Sequence, residues 1–187
     1  MKNSILTALL VIVPLFAVTA GKAVADVLDA DAGGFTSANE TIIDASRQDV
    51  WRAAVLEVHQ WWSSNHTISG EASRLHIDPR PQGCFCELLG EGAGVVHMTV
   101  TMLNPTVVLR LTGALGPLGL MGVDGNMTWE FSDADDGTLV KFTYAVGGYR
   151  PGGLDGLAGP VDGVLGEALL LLKAYAESSS KEQSDLE

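Results

Sequence analysis

The residues best placed to do chemistry in this chain are a histidine and a glutamate, His97 and Glu87. They fall on two strand-like stretches, Cys84 to Leu89 and Gly94 to Leu103, joined by the short turn Gly90-Glu91-Gly92. Counting back from that turn sets them nearly opposite each other across a ladder. A histidine paired with a carboxylate can act as a general acid and base on a carbonyl or an enol. Parity speaks against that use. Met98, Val100 and Met102 alternate with Thr99 and Thr101, so if the three apolar residues face a core, His97 faces out. The expectation is a cross-strand polar pair on the solvent face, and these two residues are the only catalytic candidates.

Other chemistry finds less support. Cys84 and Cys86 lie two apart in a strand-like stretch. In regular strand geometry their Cα atoms would sit near the ~6.8 Å upper limit for a disulfide. They are expected as two small buried hydrophobes rather than as a bridge, a redox pair or a metal pair. The remaining histidines, His59, His66 and His76, form no helical zinc pair with each other or with His97, so no metal site is expected. The chain has no P-loop, no G-x-S-x-G elbow, no H-E-x-x-H and no C-x-x-C. No cofactor is implied.

The elements that must position these residues follow from periodicity. Phe35 to Asp44 reads as a first strand. Ser46 reads as a helix cap, with Asp49 standing in for the glutamate of a capping box. The helix it starts runs to about Gln60, with Val50, Trp51, Ala54, Val55, Val58 and Trp62 on one face and Trp61 off it. Trp61-Trp62 would then stand at a cavity mouth, one ring buried and the other at the rim. Short strands follow in succession. Leu109 and Leu111, then Met127, Trp129 and Phe131, then Val140, Phe142, Tyr144 and Val146 alternate with polar neighbours. That pattern describes an antiparallel sheet covered on one side. The cover is the apolar stripe Val161, Val164, Leu165, Ala168, Leu169, Leu172 and Tyr175 of a long helix running from about Val161 to Tyr175, with Pro160 just before it, where a missing N–H costs nothing. Gly113 to Gly125 and Gly147 to Gly159 read as flexible glycine-rich edges.

Bulk properties bound the setting. Lys2, the apolar run Ile5 to Val18 and Ala23-Val24-Ala25 fit a leader cleaved after Ala25, hence a periplasmic or secreted protein. Residues 1–25 are assigned to that signal peptide, 26–34 to a flexible lead-in, 35–177 to one domain and 178–187 to a disordered acidic tail. The chain has 11 basic and 23 acidic residues. Loss of Lys2 and Lys22 with the leader would take the net charge from −12 to −14. Such a charge repels nucleic acid and anionic surfaces. No stable membrane anchor is expected after cleavage.

Several segments together resemble one superfamily. They are IIDASRQDVWRAAV, HQWWS, PQGCFCELL, GALGPLGLMGVDGNMTWEF, DGTLVKFTYAVGGY and LAGPVDGVLGEALLLLKAY. The chain resembles the START-related SRPBCC proteins, which include birch-pollen-allergen-like and polyketide-cyclase-like members, over about Phe35 to Ala176. The resemblance implies an α+β helix-grip fold, a curved antiparallel sheet wrapped on the C-terminal helix, with an internal cavity for lipids, aromatic polyketides or other hydrophobic molecules. On that frame the expected ligand wall comprises Trp62, Met98 and Val100, with Leu109 and Leu111. It continues through Met127, Trp129, Phe142 and Tyr144, over a floor of Leu165, Leu169 and Leu172. The expectation is an exported binding protein for a small hydrophobic molecule, oriented by groups such as Tyr144. The alternatives are a cyclase- or hydrolase-like enzyme using His97 and Glu87 in the same cavity, and a ligand-free domain acting through an unidentified protein partner.

Overall fold

A computed structural model describes residues 24–184. The expected leader therefore lies outside the described residues, except for Val24 and Ala25. Eight antiparallel strands form one sheet: β1 (Val24–Asp31), β2 (Gly34–Ile43), β3 (Leu75–Ile77), β4 (Cys84–Gly90), β5 (Ala93–Asn104), β6 (Val108–Thr112), β7 (Val123–Ala134) and β8 (Gly137–Gly148). Their order is β1-β2-β8-β7-β6-β5-β4-β3. Two short helices, α1 (Arg47–Trp51) and α2 (Val58–Trp61), connect β2 to the β3 edge, and α3 (Asp155–Ser184) closes the chain.

The strand faces follow the alternation. Leu109, Leu111, Met127, Trp129, Val140, Phe142 and Tyr144 are each fully buried, in one cluster with Leu165, Leu169 and Leu172 of α3. Trp129 stacks on Phe142 with centroids 4.6 Å apart. β2 departs from the rule of polar residues outside. Its buried face carries Ser37 and Asn39, whose side chains donate to Asp162 Oδ1 of α3 at 2.5 and 3.0 Å. A carboxylate on the helix thus satisfies polar groups that the sheet buries.

Several elements differ from expectation. Most of the segment read as a loose lead-in is strand β1, paired with β2 from Val24 to Asp31. The Asp31 carboxylate accepts from the Gly33 and Gly34 amides at 2.6 and 3.1 Å, which makes the turn, and Val27 packs on the core. The first helix is not continuous. Ser46 caps it as expected, accepting from the Asp49 amide at 3.2 Å. A π turn at Arg52–Leu56 and a non-helical Glu57 then break it. The wider turn rotates α2 relative to α1, so Trp61 is buried beside Trp62, with its indole donating to Ala53 O at 2.8 Å.

The closing helix is also longer at both ends. It begins at Asp155, so Pro160 lies inside it. One missing backbone bond is tolerated there because Leu154 and Ala158 are buried anchors for the first turn. The expected disordered tail is helical to Ser184. Glu177 accepts from the Asp44 amide at 3.0 Å, and Gln183 accepts from Arg52 at 3.2 Å, so the last turns are tied to the body.

The cysteine expectation is overturned. Cys84 and Cys86 form a disulfide across a Cα–Cα distance of 5.4 Å. The regular-strand argument fails because the β4–β5 ladder shifts register between Phe85 and Cys86. Opposite this bulge β4 is contracted from regular strand geometry, and its two Cα atoms lie within bridging range.

Candidate functional site

The same bulge decides where His97 points. Phe85 pairs with Met98 and Cys86 with Val96, so His97 is the extra residue on β5. Released from strict alternation, His97 and Met98 are both buried, as is Glu87. The solvent-facing pair expected from parity is therefore an interior pair. His97 Nε2 lies 2.9 Å from Glu87 Oε2. A second shift in the β5–β6 ladder, between Val100 and Met102, leaves Met102 exposed while Val100 stays buried.

Glu87 is further engaged by its neighbours. The Ile68 amide donates to Oε2 at 3.0 Å and the Ser69 amide donates to Oε1. Burial pushes the carboxyl pKa up. Hydrogen bonds from the Ser69 side chain, the Ile68 and Ser69 amides and the His97 ring outweigh that and hold it at about 2. The carboxylate is ionised at neutral pH, so in this hydrogen bond Nε2–H of His97 donates. Nδ1 is buried and has no hydrogen-bond partner among the described residues.

His97 lines a cavity of about 310 Å³. One wall is the first half of α3, through Leu157, Pro160, Val161, Val164 and Leu165. A second is Leu115 to Leu118 with Met121, and a third is Trp62 with residues 65–68. The surface is mostly apolar, with Asn65, His66, Thr67 and His97 as its polar side chains. Glu87 holds the third wall through the amides of Ile68 and Ser69. His66 reaches across to α3, with its Nε2 3.1 Å from Glu167 Oε2. That hydrogen bond keeps the Glu167 carboxyl below its usual range.

Tyr144 serves the second wall from behind. Its hydroxyl donates to Gly113 O at 3.1 Å and accepts from the Leu115 amide at 3.0 Å. Burial raises its pKa to about 12, against the lowering effect of the Leu115 amide. Gly113 has φ 147°, and a Cβ there would meet His97 O at 2.6 Å. Only glycine lets this loop lie so close to the histidine backbone.

No family model matches the chain, and no curated protein matches it. Solved structures do. CalU16 from Micromonospora echinospora superposes with a TM-score of 0.51 at 18% identity, covering 84% of each chain. A protein from Rhodobacter sphaeroides gives a TM-score of 0.55 at 15% identity, covering 82% of this chain and 98% of its own. The di-domain ARO/CYC StfQ of the steffimycin biosynthetic pathway gives 0.56 at 14% identity, over 80% of this chain and 53% of that one. The chain adopts the helix-grip fold. Identities this low carry the fold and nothing finer.

In this helix-grip domain the expected ligand wall divides. Trp62 and Leu165 line the cavity. Met98, Val100, Leu109, Leu111, Met127, Trp129, Phe142, Tyr144, Leu169 and Leu172 do not. They are at most 1% exposed and fill the interior. Under the sheet Trp129, Phe142, Phe85 and Trp61 lie ring against ring. The cavity lies instead at one end of α3. Residues 65–68, Leu115 to Leu118, Met121 and Leu157 were not among the expected wall. The Gly113–Gly125 stretch did carry a signal, since it is too apolar for a plain solvent loop. Among the described residues, no helix is long and apolar enough to cross a membrane.

Proposed function

We propose that the protein binds a small hydrophobic molecule in the cavity at the first half of α3. One observation carries this reading. A mostly apolar space of about 310 Å³ has in its wall the ring of His97, hydrogen-bonded to the buried Glu87. The volume lies at the low end of small-molecule sites, roughly 300–1,000 Å³. It fits a compact aromatic or a short acyl chain rather than a whole two-chain lipid. Apolar burial supplies the affinity, and hydrogen bonds to polar side chains of the lining such as Asn65 and Thr67 supply orientation. Polar groups in an otherwise apolar site favour ligands that satisfy them.

Export belongs to the same proposal and rests on the leader pattern. Cleavage after Ala25 would leave most of β1, from Asp26, paired with β2. Sequencing the N-terminus of the mature protein tests it.

Native mass spectrometry of protein purified from its own source is the direct test of binding, with 2-naphthol titration as a defined probe. Val164→Trp fills the cavity and is expected to weaken naphthol binding at least about tenfold, the loss of one well-placed contact of ~1.4 kcal/mol. Repeated empty spectra together with equal naphthol binding by the variant would remove the reading.

The Glu87–His97 geometry favours a second reading, acid–base catalysis in the same cavity. Nδ1 would take a proton from a carbon beside a ligand carbonyl. Glu87 would stabilise the imidazolium, which would return the proton to the product. His97→Gln should then abolish solvent-deuterium exchange into a bound cyclic ketone while leaving naphthol binding within a few fold. Equal exchange by the variant would exclude it.

A further inference from the structure

The disulfide leaves a third side chain to be explained. His76 of β3 lies opposite Cys86 of β4 in the ladder. The two sulfurs and one ring nitrogen of His76 all lie within 4.8 Å of one another. Cys84 is half-buried, Cys86 buried and His76 exposed, so this group sits at the sheet edge with one side open to solvent. It is separate from the cavity, whose lining includes none of the three.

We propose that Cys84, Cys86 and His76 form a binding site for a single thiophilic cation, of the Zn2+ or Cu+ class, whenever the Cys84–Cys86 bridge is reduced. Two thiolates and an imidazole are the donor set that such ions prefer, and hard cations such as Mg2+ and Ca2+ avoid it. Alternation along β4 sets Cys84 and Cys86, with Cα atoms 5.4 Å apart, on one side of the strand, and His76 meets them there from the paired position on β3. Three protein ligands leave a fourth position to water, and the open side provides a route for the ion. The chain's net charge of −12 favours a cation over an anion.

The redox step balances with a dithiol reductant. It transfers two electrons and two protons to the S–S bond and becomes a disulfide itself. The chain then holds two thiols. The cation displaces both thiol protons, and His76 binds it as the neutral imidazole. A small-molecule disulfide then accepts the two electrons by thiol–disulfide exchange and leaves as two thiolates, which re-forms the bridge and releases the ion. Bridge and metal site are thus alternative states of the same sulfurs. Phe85, between the cysteines, packs on Trp62 and His97 with centroids at 5.5 and 5.8 Å, so the exchange takes place one residue from the cavity wall.

The test compares oxidised and phosphine-reduced protein under anaerobic conditions. Zn2+ is titrated against a chromophoric chelator, Cu+ against a Cu+-specific one, and Co2+ is added as a spectroscopic probe. The reduced chain should take up one equivalent of Zn2+ or Cu+ and show sulfur-to-Co2+ charge-transfer absorption. The oxidised chain should show neither. His76→Ala should weaken binding at least about tenfold, in the range seen when a metal-site partner is lost. The Cys84→Ser, Cys86→Ser double variant should abolish it. Circular dichroism checks the fold of each variant, and the oxidised-against-reduced comparison needs no variant. Reduced chain that binds no more tightly than the double-serine variant overturns the site. So does oxidised chain that binds as tightly as reduced. Binding by His76→Ala equal to the unchanged chain removes His76 from it.

Discussion

The two halves of α3 cover the same sheet in different ways. In the second half, Leu169 and Leu172 are fully buried, and Ala168 and Ala176 nearly so. They complete a core already filled by Trp129, Phe142 and Tyr144. In the first half, Leu157, Val161 and Val164 are only half-buried and bound a void. The intrinsic helix strength differs in the same direction. The first half carries Gly156, Gly159, Pro160, Gly163 and Gly166, and beyond it runs Ala168 to Ala174 with no glycine or proline. At Gly156, Gly159 and Gly163 an added Cβ would meet nothing within 4 Å, so packing does not require glycine there. Glycine costs about 1 kcal/mol against alanine inside a helix, and proline more. The half beside the cavity is therefore the half with less packing and weaker propensity. Local opening concentrates where both are low. A ligand route through that end arises from the same physics as a rigid seal at the other.

This contrast can be broken most severely in the sealed half. Leu169→Ala should cost about 2–5 kcal/mol in urea denaturation, as deletion of a fully buried leucine does. Val164→Ala, at the void, should cost within about 1 kcal/mol because little cavity is added. Equal costs would erase the distinction between the halves.

The next effect is electrostatic and sits at the cavity wall. Glu87 has its pKa lowered from 4.5 to about 2 by hydrogen bonds that exceed the burial cost. A carboxyl depressed on folding stabilises the native state fully above its unfolded pKa. That contribution is lost as pH falls from about 4.5 through about 2. The shift corresponds to about 3 kcal/mol. Glu87→Gln should flatten the stability–pH curve in that window and lower stability at pH 7. An unchanged acid limb would show that the carboxylate is not held as described.

Tyr144→Phe removes both hydrogen bonds that pin Gly113 and Leu115. It should cost about 1–2 kcal/mol and speed exchange of the Leu115 amide, while exchange in the second half of α3 stays slow. The smallest change runs the other way. Gly159→Ala and Gly163→Ala should each stabilise by about 0.5–1 kcal/mol, since the Cβ has room and the unfolded chain loses freedom. They should also slow probe release if the first half opens to exchange ligand. Unchanged release rates with raised stability would place the route elsewhere.

Much of the frame was legible from periodicity. The inward residues of β6, β7 and β8 are buried as their spacing requires, and so are Leu165, Ala168, Leu169 and Leu172 of the α3 stripe. The capping residue Ser46 holds its helix start. The site was less legible. Trp62 and Leu165 line the cavity, but the other expected wall residues fill the core. Alternation states which face is apolar, not whether facing side chains leave space between them. That depends on ring volumes meeting across the sheet, as Trp129 and Phe142 do. The helical tail escaped because its anchors, Asp44 and Arg52, are more than 130 residues away in sequence.

The period and polarity of each segment follow from the chain alone, because they depend on neighbours two to four residues apart. The inward turn of His97 and the approach of His76 to the Cys84–Cys86 bridge come from how strands align. His97 faces in because one extra residue on β5 resets the alternation opposite Phe85 and Cys86, and His76 meets the sulfurs because β3 pairs it with Cys86. A bulge is a property of two strands aligned together, and neither strand's own pattern contains it.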